Sequence, residues 1–348
     1  KPVVLLIGQQ HGNEPAGGEA ALTLAGRLGD GDLAPLLDAI DVIIAPRANP
    51  DGAAAFVRTL ANGVDLNRDH TLQRTPEARV LGGLLAFFRP NIVFDCHEFT
   101  VAGRWIEKVG GLVRIDAMIQ HATTPNMSAV LSRAQTDLFL PAILAAFDAQ
   151  KLTHDWYHTT DGSRRESPVA MGGIGPDTGR NVAGLRNAVS FLLETRGVGL
   201  GRAHFARRVK THVVAAEAIM RQAAKDPAAV LAISRAAEKE SATATEALII
   251  QARPRAETRS LTFVDPVSGA DKTVSVAWLS ALNIEPVRVR PRPAGYVISG
   301  ATIAIMDPLK RARIAMRPVT KAAAIAGEYY RARELTAGAK EDGRGDDV

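Results

Sequence analysis

The sequence predicts an α/β protein. Three layers, α/β/α, surround a mixed, mostly parallel central sheet, and a small β-rich C-terminal region follows. Three observations predict this. Over roughly the first 200 residues, short continuous Val/Ile/Leu runs alternate with helix-like segments, the pattern of strands covered on both faces. Polar clusters follow these apolar runs directly. After about Thr243 the composition changes to short strand-like runs punctuated by turn signals.

Residues 3–8 read as the first strand and 17–28 as the helix after it. Residues 41–46 give a second strand. Residues 75–88 give a helix with Thr75 as N-cap and Pro76 in its first position. Residues 91–96 are a third strand, 140–150 a helix that tolerates Pro141 in its first turn, and 188–194 a fourth strand. From 202 to about 239 the pattern is helical and Ala-rich. Beyond it, 248–252, 260–264 and 272–277 read as short strands separated by Asp265-Pro266 and Ser268-Gly269. Residues 288–293 alternate Arg with Val and Pro and are expected to be extended. The shift in composition divides the chain into a main domain, 1–245, and a small β-rich C-terminal domain, 246–348. The charged, Gly-containing end at 340–348 is expected to be a flexible tail.

The chain has 348 residues, room for two domains at roughly 150 residues each. Apolar residues at 46% and charged residues at 23% exclude wholesale disorder. No run approaches the ~20 apolar residues that a membrane-crossing helix needs, so no membrane partner is expected. The net charge is +5, but Lys and Arg are interspersed with Asp and Glu and aromatics are only 5%, so nucleic acid is not expected either. The single cysteine, Cys96, excludes an internal disulfide framework and a Cys-rich zinc cluster. A metal site must therefore use His, Asp and Glu. The chain begins at Lys1 with no visible signal peptide. A cytoplasmic location and a periplasmic or secreted one, after removal of a signal, both stay open. The sequence is silent on oligomeric state.

The chemistry-bearing residues follow the predicted strands. Gly8-Gln9-Gln10-His11-Gly12-Asn13-Glu14 leaves the first, Asn49-Pro50-Asp51-Gly52 the second and Asp95-Cys96-His97-Glu98 the third, while Glu194 ends the fourth. In an open α/β sheet, ligands bind beyond the carboxyl ends of strands, so these groups can converge on one crevice. An imidazole and a carboxylate three positions apart, as in His11-x-x-Glu14, can grip one metal ion. A catalytic zinc commonly takes a third ligand, and His97 is the best candidate. The same pair also suits a plain solvated loop. His70, His121, His154, His158, His204 and His212 read as surface or packing histidines. Arg68 beside Asn67 suits bidentate capture of a carboxylate, and Arg58, ten residues earlier, can reach a polarised carbonyl. A loop salt bridge explains the arginines equally well without context.

The order of His11-x-x-Glu14, Asn49-Pro-Asp-Gly52, Arg58, Asp65-Leu-Asn67-Arg68, His97 and Glu194 supplies that context. It resembles the zinc carboxypeptidase family, the carboxypeptidase A-like metallopeptidases, over roughly residues 1–200, with spacings like those of compact bacterial members. The resemblance implies a carboxypeptidase-like fold for 1–245 and one zinc ion held by His11, Glu14 and His97. It implies Glu194 as general base and acid, Arg58 as the arginine that stabilises the oxyanion, and Asn67 with Arg68 as the pair holding the substrate's terminal carboxylate. Asp65 matches a carboxylate that orients the first zinc histidine. The expected activity is that of a metallocarboxypeptidase, hydrolysing the C-terminal bond of a peptide through a zinc-activated water. The expected substrate is a peptide or small amide with a free carboxylate. The alternative is a zinc amidohydrolase of the aspartoacylase or succinylglutamate desuccinylase type, which deacylates N-acyl amino acids.

One departure stands out. Family members often carry a tyrosine some twenty residues before the base, and here that region, 171–182, has none. Tyr157, from another loop, is the substitute to examine. Asp177 and Arg180 either enter the specificity pocket or pin the loop through a salt bridge. Glu98 competes with Glu194 for the role of base; Glu194 is preferred because the Glu194-Thr195-Arg196-Gly197 strand end resembles the family's and Glu98 is expected to point away.

Overall fold

The computed structural model of the chain describes residues 1–160, 166–298, 303–322 and 324–329. In chain order the main elements are β1 (Val3–Gly8), α1 (Pro15–Gly29), β2 (Asp41–Ala45), α2 (Pro50–Ala55), α3 (Pro76–Phe88), β3 (Ile92–Thr100), α4 (Arg104–Val109), β4 (Leu112–Val113), β5 (Ala117–His121), α5 (Ala129–Arg133), α6 (Leu140–Ala149), β6 (His154–Trp156), β7 (His158–Thr159), β8 (Val169–Met171), α7 (Gly179–Leu185), β9 (Val189–Val198), α8 (Phe205–Lys225), α9 (Pro227–Thr243), β10 (Leu248–Val264), β11 (Asp271–Arg290) and α10 (Ile303–Arg311).

The main sheet has the order β2-β1-β3-β9-β5-β6. All neighbours are parallel except β5, which runs against β9. Strands β1, β3 and β9 are interior and apolar along most of their length because helices cover both faces. On β3, Phe94 and Cys96 pack into the larger core with Leu24 of α1, Ile143 of α6 and Ile219 of α8. Val93, on the opposite face, packs with Leu81 of α3 and Val182 of α7. The period-2 alternation of a strand thus divides its residues between two helix layers.

Three local findings refine the sequence reading. Asp226-Pro227 splits the expected 202–239 helix in two. The Asp226 side chain accepts from the Ala229 N–H at 2.9 Å and starts α9, with Pro227 at its first position. The strands expected at 248–252 and 260–264 merge into one long β10, which pairs with β11 through register shifts near Gln251 and Pro254. The segment 129–149 is one helical stretch, long and apolar enough by composition to cross a bilayer. Its Leu131, Phe139, Ile143 and Phe147 are buried in the larger core, which marks it as a core helix of this fold. The flexible tail expected at 340–348 lies outside the described residues.

The C-terminal hairpin completes a second sheet, β4-β10-β11-β8-β7. Phe263 and Trp278 from the hairpin pack on Trp105, Val169 and Met171, and ion pairs Arg114–Asp271 and Arg259–Asp155 tie it to the body. The second core also takes in Met118 of β5, whose register partner on β9 is Glu194. The second sheet therefore braces β8, the strand from which the 172–178 loop runs to α7.

Candidate metal centre and active site

Three adjacent parallel strands deliver the site. In their register Gly8 lies opposite Cys96, and His97 lies opposite Glu194. The loop leaving β1 folds against α2. A Cβ on Gly12 would fall 1.9 Å from the Gly52 carbonyl carbon, so only glycine lets the two loops approach. Asn49 locks them. Its side chain accepts from the Gly52 N–H at 2.8 Å and donates to the Gln10 carbonyl at 3.2 Å.

His11 Nδ1, a Glu14 carboxylate oxygen and His97 Nδ1 lie within 4.8 Å of one another, all on buried side chains. His11 Nδ1 is 2.8 Å from Glu14 Oε1, His97 Nδ1 is 3.0 Å from Glu14 Oε2, and the two ring nitrogens are 3.1 Å apart. The far nitrogens face carboxylates: His11 Nε2 is 3.0 Å from Asp65 Oδ1, and His97 Nε2 is 3.0 Å from Asp95 Oδ2. A carboxylate acceptor behind each ring favours a proton on Nε2, which leaves Nδ1, facing Glu14, as the atom that a metal would take in place of a proton. Two imidazole nitrogens and one carboxylate, facing inward and supported from behind, fit a zinc ion.

Glu14 reaches this position through an exchange of partners. It is the N-cap residue of α1, yet its side chain makes no capping hydrogen bond. It turns to the two histidines and accepts the Glu98 backbone N–H at 3.1 Å. Glu98 takes over the cap: its Oε2 accepts the Ala16 N–H at 3.0 Å, and its Oε1 pairs with Arg208 Nε of α8 at 2.6 Å. On β3, Asp95 and His97 occupy one face and Glu98 the other, so Glu98 faces the α1/α8 layer, away from the cluster.

The electrostatics follow from burial and contact. Burial favours the neutral acid at Glu14, but His11 and His97 outweigh it and keep the carboxyl well below the usual range. Burial likewise acts on Asp65, and the His11 hydrogen bond with the Arg58 charge holds it low. At His97 burial opposes the charged ring, yet Asp95 and Glu14 raise its pKa well above the ordinary histidine value. A metal must displace that proton to use Nδ1. Burial pushes Glu194 up to about 7 and Glu14 adds to the rise, while His97, His11 and Arg58 only partly offset it. No hydrogen bond ties up the Glu194 carboxylate among the described residues.

The Arg58 side chain is 43% exposed. Its Nη2 is 2.8 Å from Asp65 Oδ2 and its Nη1 is 3.5 Å from Glu14 Oε1. Partial burial works against its charge, and Asp65 and Glu14 more than restore it. Asn67 is buried. Its Oδ1 accepts the Gly179 N–H at 2.8 Å, its Nδ2 is 3.2 Å from His97 Nε2, and Arg68 Nη1 donates to its carbonyl at 2.9 Å. Tyr157 packs on Gly172, and its phenol lies within reach of the charges of Glu194, Arg68, Arg58 and Arg180. Burial and the Glu194 charge raise its pKa against the pull of Arg68, Arg58 and Arg180.

Residues 1–79 match the family described as zinc carboxypeptidase. Over 300 residues, 85% of this chain, the sequence is 31% identical to "Carboxypeptidase 2" of Trichophyton rubrum. It is over residues 1–79 that the chain carries the zinc carboxypeptidase family's pattern. Similarity to "Probable carboxypeptidase 2" of Trichophyton verrucosum (strain HKI 0517) is of the same order, 32% identity over 300 residues and 85% of the chain. The chain spans 55% of the length of the first of these relatives and 58% of the second. Among solved structures, a metallo-carboxypeptidase from Burkholderia cenocepacia aligns over 65% of this chain and 58% of its own, at 18% identity and a TM-score of 0.47.

The structure brings together His11, Glu14, His97, Glu194, Arg58, Asp65, Asn67 and Arg68. It does not bring His154 or His158 there. His154 pairs with Asp148 near the surface, and His158 packs between Trp105 and Trp278 in the second core. Sequence reasoning passed over Asp95, Gln10 and His70. Gln10 Nε2 donates to Asp95 at 2.7 Å, which leaves its Oε1 to accept from His70 Nε2 at 2.7 Å. Burial keeps the His70 ring neutral. Asp95 had a readable signal, because two residues before His97 on a strand is the same face.

Proposed function

We propose that this protein is a zinc-dependent metallocarboxypeptidase that hydrolyses the C-terminal peptide bond of a peptide with a free carboxylate. The observation that carries the reading is the convergence of His11 Nδ1, Glu14 and His97 Nδ1 beside Glu194. One zinc ion at these three side chains supplies Lewis acidity and lowers a water's pKa to ~7.

The chain's own groups do the rest. Glu194 takes a proton from the attacking water and later passes it to the leaving amine, a double task suited by a pKa near 7. Arg58 donates to the scissile carbonyl oxygen as negative charge develops there. Arg68 and Asn67 hold the terminal carboxylate. The Asn67 Oδ1 is already used on the Gly179 N–H, so its contribution to an anion comes from Nδ2. Asp65 orients His11. Residues 1–245 form the catalytic unit, and the hairpin of the 246–348 region covers its edge and braces the 172–178 loop.

Turnover of N-blocked dipeptides, set beside turnover of N-acyl amino acids by the zinc-loaded protein, tests this reading. Dipeptide cleavage that a chelator abolishes and zinc restores is the expected result. Strict preference for N-acyl amino acids would overturn it in favour of an amidohydrolase.

A further inference from the structure

The residues packed around Asn67 and Tyr157 include a cation that this mechanism leaves idle. Arg180, in the first turn of α7, is 1% exposed. Its Nη2 donates to the Gly173 carbonyl at 2.6 Å, and its Nε has no hydrogen-bond partner. No carboxylate ion-pairs with it among the described residues. Arg208, buried to a similar degree, shows the usual arrangement, with Glu98 at 2.6 Å and the Gly201 carbonyl at 2.7 Å. A buried guanidinium costs stability unless an anion meets it. Next to Arg180, the buried Thr178 Oγ1 is also without a partner.

The surroundings tie Arg180 to the candidate site residues. Gly179 donates to Asn67 Oδ1, and a Cβ there would lie 3.0 Å from His70 Nε2. Gly172, next to the Gly173 that Arg180 holds, packs on the Tyr157 ring. The Tyr157 phenol senses the charges of Glu194, Arg68, Arg58 and Arg180 together. Burial and the like charge of Arg68 lower the Arg180 pKa to about 10, so it is still charged at neutral pH. Both Asp95 and Asp177 act on it from beyond ion-pairing distance, and the Asp95 oxygens are taken by Gln10 and His97.

We propose that Arg180 receives a side-chain carboxylate of the substrate, so that the preferred C-terminal residue is Glu or Asp. This rests on the exopeptidase reading, with Arg68 and Asn67 on the α-carboxylate and Arg180 on the second one. An apolar side chain would seal the guanidinium in with Nε still unpaired. A basic one would meet the like charges of Arg180 and Arg68.

The test compares kcat/KM of the zinc-loaded protein on N-blocked dipeptides ending in Glu, Leu and Lys. The Glu substrate should lead, and Arg180→Gln should lower its kcat/KM on the order of 10²-fold while the Leu substrate changes by only a few-fold. Arg180→Lys keeps the charge without the planar fork and should retain part of the preference. If Arg180→Gln does not fold, the wild-type ratio and Arg180→Lys decide. Equal or better cleavage of the Leu or Lys substrate by the wild type overturns the proposal, as does an unchanged ratio in the variants. If no dipeptide is cleaved, the exopeptidase reading itself fails, and calorimetry with N-acetylglutamate and N-acetylleucine still judges Arg180. Tighter binding of the former, lost in Arg180→Gln, supports the assignment, and equal affinities refute it.

Discussion

His97 and Glu194 are register partners on the neighbouring parallel strands β3 and β9. Residues paired in this way project to the same face, so the sheet places a candidate metal-ligating nitrogen and a carboxyl with a raised pKa side by side. No loop conformation is needed to bring them together. Glu194→Gln should therefore keep zinc and lose kcat by about 10²–10⁴-fold, the range for a positioned general base. Metal analysis and steady-state kinetics on the same sample check this. A variant with near-full activity would reassign the base.

The raised pKa of Glu194 also makes a prediction about stability in the metal-free protein. Its value moves from 4.5 to about 7 on folding. A folded-state pKa above the unfolded one adds stability that is fully present below pH 4.5 and is lost as pH rises through about 7. Glu194→Gln removes that loss. The Tm of the metal-free variant should exceed that of the wild type at pH 8, and the gap should close by pH 5. Scanning calorimetry at both values measures it, and a gap that is constant with pH would contradict the assigned shift.

Asp95 supports His97 from behind at 3.0 Å, and Gln10 supports Asp95. Asp95→Asn should weaken zinc binding by roughly 10–100-fold without removing any metal ligand. Competition titration against a chromogenic chelator reads the change. Unaltered affinity would show that the His97 ring is held by other contacts.

The legible part of the site is the part made by strand ends. His11, Glu14, His97 and Glu194 each follow an apolar run, and parallel neighbours must bring such ends together. Asp95 could have been added from the two-residue period of β3. The Gln10–His70 contact could not, because it joins loops 60 residues apart with no shared pattern. Asp226-Pro227 carries both a cap and a helix start, so the break between α8 and α9 was readable chemistry. The merging of short strands into β10 was not, since bulges hide the alternation that a long strand would otherwise show. The exchange of caps between Glu14 and Glu98 depends on Arg208, 110 residues further along the chain.

That exchange has its own consequence. Glu98→Ala leaves the Arg208 guanidinium buried without its carboxylate and the first turn of α1 uncapped. Breaking a buried pair in this way costs about 3–5 kcal/mol. Urea unfolding should show a loss of this size, accompanied by weaker zinc binding as Glu14 returns toward the cap. A loss of less than about 1 kcal/mol would mean that water or another group replaces Glu98.

Arg58 is the opposite case. Its side chain is 43% exposed, so Arg58→Met should leave the fold intact. If it meets the developing oxyanion, kcat should fall on the order of 10²–10³-fold with little change in KM. A rise in KM at constant kcat would assign it to ground-state binding instead.

The most direct test of the whole account is a crystal of the protein equilibrated with one equivalent of zinc, with diffraction data collected on either side of the zinc edge. A single anomalous peak bonded to His11 Nδ1, Glu14 and His97 Nδ1 is the expected result. A peak elsewhere, or one bonded to the Nε2 of either histidine, would contradict it.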